Sequence, residues 1–135
     1  MLSIATNPIV DDELKPTRHL TLNFADIDHP TARNRSLAAS PSDIAAICSL
    51  SDCDQLLIHC QRGQRRSPTA ALIILNTILF ESSPRSIADW ILSEAPYVDF
   101  NLWMLKLADI DPEALGAPRP FVQAPKGSHF ILDLT

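Results

Sequence analysis

The stretch Leu56-Leu57-Ile58-His59-Cys60-Gln61-Arg62-Gly63-Gln64-Arg65-Arg66-Ser67-Pro68 restricts what this chain can fold into more than any other. The successive apolar residues Leu56 to Ile58 read as the end of a buried strand, because a strand covered on both faces is continuously hydrophobic. From Pro68 to Leu79 the sequence is almost wholly apolar and reads as a buried helix. Ser67 suits the N-cap and Pro68 the first helical position, where a missing N–H does no harm. A strand, a tight loop and a helix start are therefore expected in that order. Such a turn aims several backbone N–H groups and the positive end of a helix dipole into one small bowl, which attracts anions.

The residue types in that bowl carry chemistry. Thiolates are stabilised beside arginines and helix N-termini, and the thiolate is the nucleophile, so Cys60 is the candidate nucleophile. Arg66 offers a planar, permanently charged fork that suits two phosphate oxygens. Gly63 permits a positive φ inside the loop. These parts need no metal and no cofactor. On the bland reading they are a core cysteine before an ordinary helix, with Arg62, Arg65 and Arg66 as a solvated charge run. That reading leaves the spacing unexplained.

His59-Cys60-x-x-Gly63-x-x-Arg66-Ser67 resembles the phosphate-binding loop of the cysteine-dependent protein tyrosine phosphatase superfamily, His-Cys-x-x-Gly-x-x-Arg-Ser/Thr, at every fixed position. Spacing and chain size are most similar to the compact dual-specificity branch, with looser similarity from about Leu20 to Ile110. The resemblance implies hydrolysis of phosphotyrosine and/or phosphoserine/threonine monoesters through a cysteinyl-phosphate intermediate. It implies that Cys60 attacks phosphorus, while Arg66 and the loop residues Gln61, Arg62, Gly63, Gln64 and Arg65 hold the phosphate. Ser67 would donate to the sulfur, His59 would brace the loop, and Asn101 stands where the branch often has a supporting Asn. The leaving oxygen needs a proton, and in the branch an aspartate in a loop after an upstream strand supplies it. Such acid catalysis is typically worth about a hundred- to ten-thousand-fold. Asp26 and Asp28 qualify, 34 and 32 residues before Cys60. Asp26 is preferred because it follows its strand more closely.

Two positions depart from the branch pattern. Arg62 stands where a small residue is common and Arg65 where Ser is common. The extra cations could favour a more anionic substrate, such as a phosphoinositide, an inositol phosphate or a nucleotide 5′-end. Equally, both could face solvent or pair with acidic neighbours. Two alternatives stand beside the phosphatase: a pseudophosphatase that binds phosphate without useful catalysis, and a sulfurtransferase. Cys60-x-x-Gly63-x-Arg65 also resembles the active loop of rhodanese sulfurtransferases. That family usually has a Gly-rich turn after the loop helix, whereas this chain has three glycines and none between Gly63 and Gly116.

At 135 residues a single domain is expected, with 46% apolar and 20% charged residues, an ordinary globular composition. A net charge of −5 argues against general binding to nucleic acid or anionic membranes. Three irregularly spaced cysteines make a disulfide framework or zinc site an unsuitable reading. A thiolate enzyme fits a reducing compartment, so the cytoplasm is expected. No apolar run reaches transmembrane length, and no membrane insertion is expected. The expected partner is a phosphorylated substrate, either a protein or a small anionic phosphate ester.

The remaining elements follow from local signals. Leu2 to Ala5 reads as a short edge strand that Asn7-Pro8 ends, and a polar loop runs from Asp11 to Arg18. His19 to Phe24 alternates and reads as a second strand, followed by a long irregular loop to Ser40. Ser40-Pro41 and Ser83-Pro84 each open a helix, the second stopping near Pro96. Phe100 to Ile110 reads as another helix, and both tryptophans read as core. The expected architecture is α/β: a single, mostly parallel sheet flanked by helices, with a strand–phosphate loop–helix site. Residues 1–110 are expected as the catalytic domain. The Pro-rich segment 111–135 is expected as a tail, packed or mobile, with Phe130 to Leu132 able to dock as a strand.

Overall fold

In a computed structural model of the chain, which describes residues 1–4, 18–116 and 119–134, the fold is α/β. The expected turn at Asn7-Pro8 and most of the expected loop from Asp11 lie outside the described residues. The strands are β1 (Leu2–Ile4), β2 (Leu20–Leu22), β3 (Gln55–Cys60) and β4 (Phe130–Asp133). The helices are α1 (Pro41–Cys48), α2 (Arg66–Ile78), α3 (Pro84–Glu94) and α4 (Leu102–Leu107).

The four strands form one mixed sheet in the order β2-β1-β3-β4. β1 is parallel to both β2 and β3, and β4 runs antiparallel to β3. The expectation of a mostly parallel sheet thus holds for three strands, and β4 is the exception. β1 is interior, not an edge as its length implied. Its Leu2, Ser3 and Ile4 are fully buried, as burial between two neighbouring strands requires. The Pro-rich segment supplies the opposite edge. Leu56 pairs with Leu132 and Ile58 with Phe130, and Leu132 is buried in the core.

α2 is the hub of the helical layer. It lies against β3, and α1, α3 and α4 pack around it. Its inner residues Ala70 to Ile74 have no exposed surface to speak of. The cap signals in the sequence operate as expected in α1 and α3. Ser40 accepts from Asp43 N and Asp43 accepts from Ser40 N, a reciprocal capping box, and Ser83 accepts from Ser86 N. Two helix starts differ from expectation. α2 begins at Arg66, because Ser67 turns its N–H to Cys60 instead of capping. α4 begins at Leu102 because Asn101 caps it, accepting from Met104 N.

The tryptophans also divide. Trp103 is half-buried and donates its indole N–H to Ala39 O at 2.8 Å. Trp90 is 52% exposed, because the buried stripe of α3 runs through Ile87, Ala88, Ile91 and Leu92 and leaves it outside. Among the described residues no helix is long and apolar enough to cross a membrane.

Candidate functional site

β3 delivers Cys60 to the carboxyl end of the sheet, and α2 starts six residues later. The loop between them must reverse direction within Gln61–Arg65. Gly63 makes this feasible with φ +67°, a conformation that side chains disfavour. A Cβ at Gly63 would also collide with the backbone carbonyl of Ser128, so the C-terminal segment lies directly against this loop. Gln64, buried, donates its side-chain amide to Val122 O at 2.9 Å and fastens the same segment from the other side.

Cys60 Sγ is buried at the base of the loop. It accepts the backbone N–H of Ser67 at 3.3 Å and is hydrogen-bonded to Ser67 Oγ at 3.2 Å. Among the described residues, the backbone N–H groups of Arg62 to Arg65 have no hydrogen-bond acceptor. They lie next to the N-terminus of a 13-residue helix, an arrangement that suits an anion. Arg66 donates one Nη1 bond to Phe24 O at 2.8 Å, which ties the loop after β2 to the bowl and leaves the rest of the fork unengaged.

A cleft of about 530 Å³ opens over this bowl, with Cys60, Arg62, Arg66, Asp26, Asn23 and Phe121 among its lining residues. Asp26 thus shares the cleft with Cys60, and Asp28 does not line it. The two aspartates are separated by what holds them. Asp28 engages Arg65 Nη2 with both oxygens, at 2.6 and 2.7 Å, and accepts from Leu102 N at the start of α4. Asp26 meets Arg65 Nη1 at 2.9 Å and Asn101 Nδ2 at 2.7 Å, both through Oδ1. Its Oδ2 has no hydrogen-bond partner among the described residues.

Arg65 is therefore an organiser of carboxylates. Besides Asp26 and Asp28 it meets Asp99 at 3.2 Å and donates to Phe100 O. Burial works against its charge, but the hydrogen bond to Asp28 and the charges of Asp26, Asp28 and Asp99 outweigh it and raise Arg65 above the usual arginine range. Of the two extra cations in the loop, Arg65 pairs with acidic neighbours, while Arg62 is exposed and has no carboxylate partner among the described residues.

Asn101 is fully buried and ties the Asp26–Ile27 segment to α2, whose Thr69 hydroxyl in turn donates to Arg65 O in the loop. Its amide donates to Asp26 and to Ile27 O, and its backbone N–H donates to Thr69 Oγ1 on α2. His59 acts through the sheet. Its Nε2 lies 2.6 Å from Ser3 Oγ on β1, and the same hydroxyl lies 2.6 Å from His19 Nε2. Burial lowers the His59 pKa first, followed by the neighbouring His19, His129 and N-terminal amine. Phe121 and the 122–128 segment were not singled out as site residues from the sequence. No local signal there foretells it; the wall exists because β4 returns the chain to β3.

No protein-family model matches the chain, and no curated protein or solved structure matches it.

Proposed function

We propose that the chain is a metal-independent cysteine phosphatase of the dual-specificity type, acting on phosphate monoesters. One observation supports this reading above the others: Cys60, Arg66 and Asp26 line a single cleft, together with loop residues whose backbone N–H groups have no acceptor among the described residues. In the first step the Cys60 thiolate attacks phosphorus. Arg66 and the N–H groups of the loop hold the equatorial oxygens, whose charge grows most in the transition state. The ester P–O bond breaks, and the leaving oxygen takes a proton from Asp26. Because Arg65 and Asn101 both point donors at Oδ1, the proton resides on Oδ2. In the second step Asp26, now ionised, takes a proton from water, the hydroxide displaces sulfur, and phosphate leaves. Ser67 stabilises the departing thiolate by donating from both its N–H and its hydroxyl.

On this reading Asp28 is a support and Arg65 positions the acid instead of binding substrate. A thiolate nucleophile works in a reducing setting, so the cytoplasm is the proposed compartment. The substrate is a phosphorylated protein or a small anionic phosphate ester. The deciding experiment is turnover of an aryl phosphate by the wild-type chain and by Cys60→Ser. Turnover that the substitution abolishes is expected. A wild-type chain that binds phosphate without turnover is a pseudophosphatase, and thiocyanate formation from thiosulfate marks a sulfurtransferase.

A further inference from the structure

Resting on the phosphatase reading, we propose that the cleft beside the Cys60 bowl is a second phosphate site, so that the preferred substrate carries two phosphate groups on one molecule. This neighbouring cleft has a volume of about 490 Å³ and is bounded by the loop on one side and the C-terminal segment on the other. Gln61, Arg62, Gln64 and Phe121 line both clefts, so they share a wall. Lys126 lines only the second.

The charges around the two clefts are unevenly satisfied. Asp26, Asp28 and Asp99 are gathered on Arg65. Arg62 and Lys126 are exposed, and neither has a carboxylate partner among the described residues. Two cations without a carboxylate partner among the described residues, in one concave site, stand out in a chain whose net charge is −5. Gln61 and Gln123 add amide groups to the same lining, while the Gln64 amide is already engaged by Val122 O. Two cations with amide donors suit a dianionic phosphate better than a single carboxylate. The site is open, so each cation contributes modestly and is screened by salt.

The test compares alkanediol bisphosphates of increasing spacer length with the matching monophosphates and with phosphate–carboxylate analogues. At low ionic strength, one spacer length is expected to raise kcat/KM about tenfold over its monophosphate, chiefly through KM. The gain is expected to shrink at high salt. Lys126→Glu is expected to remove at least about fivefold of that gain while leaving monophosphate turnover unchanged. Offering the paired phosphates on a soluble diol and on a phosphoinositide headgroup in phosphatidylcholine vesicles separates the two sources, and a gain from either supports the site. Monophosphate turnover with no gain at any spacer, an equal gain from the carboxylate analogue, or a gain that survives Lys126→Glu overturns it. If no ester is hydrolysed, the phosphatase reading fails separately. Calorimetry on Cys60→Ser then decides the second site: tighter binding of the bisphosphate than of the monophosphate supports it, and equal binding overturns it.

Discussion

At the scale of single residues, Asp26 and Asp28 are the same side chain two positions apart in different surroundings, and the proposed reading gives them different work. Asp26→Asn is expected to depress turnover of alkyl and unactivated phenyl phosphates by about a hundredfold or more. It is expected to matter far less for esters whose leaving group departs without a proton. Asp28→Asn removes the closest Arg65 ion pair, so a lower melting temperature is expected, with a rate loss that is the same for good and poor leaving groups. Kinetics across a leaving-group series checks both; a steep series for Asp28→Asn and a flat one for Asp26→Asn would reverse the assignment. Gly63 is the other residue at which one atom matters. Gly63→Ala forces a side chain into positive φ and into the Ser128 carbonyl. A loss of about 1–3 kcal/mol is expected from the backbone strain alone, read by denaturant unfolding, together with loss of phosphate binding.

At the scale of elements, β1 and β3 are joined by more than their ladder. Ser3 Oγ stands between His59 Nε2 and His19 Nε2, and a hydroxyl can donate to one ring while accepting from the other. Protonating His59 leaves its ring able only to donate and adds a positive charge near His19, His129 and the N-terminal amine. The His59 pKa lies below its ordinary value of 6.5 in the folded chain, so the unfolded chain takes up the proton first as pH falls. The stability tied to this histidine is therefore complete above pH 6.5 and declines as pH drops through that value. Thermal melts from pH 8 to pH 5 should show the decline, and His59→Asn should flatten it. An unchanged slope in that variant would assign the pH dependence to other groups. Because His59 precedes Cys60, loosening this pair should also loosen the base of the loop.

For the whole molecule, the C-terminal segment closes both the sheet and the site. Truncation after Leu115 removes β4, the buried Leu132, and the wall formed by 119–128. Loss of the Leu132 side chain alone, as Leu132→Ala, is expected to cost about 2–5 kcal/mol. The full truncation also bares the long edge of β3, and an exposed apolar edge invites pairing with other chains. A lower-yield, self-associating product without phosphate binding is expected, read by size-exclusion chromatography and calorimetry. A monomeric truncated chain with an unaltered melting temperature would show that the segment is an accessory.

Local signals in the sequence determined the strand–loop–helix unit around Cys60, the positive φ at Gly63 and the caps at Ser40 and Ser83. Each depends on backbone geometry within a few residues. The start of α2 escaped them, because Ser67 faces a sulfur seven positions back instead of a helix end. Only the tertiary structure decided that β1 is interior, that Trp90 lies outside the core stripe, and that the segment after 110 walls the site. Arg65 makes the point most directly. Its carboxylate partners lie 34, 37 and 39 positions away, and nothing in the neighbouring residues announces them. Backbone preference acts over a turn or two, whereas strand neighbours and charge partners are selected when the whole chain packs and buried charges must find each other.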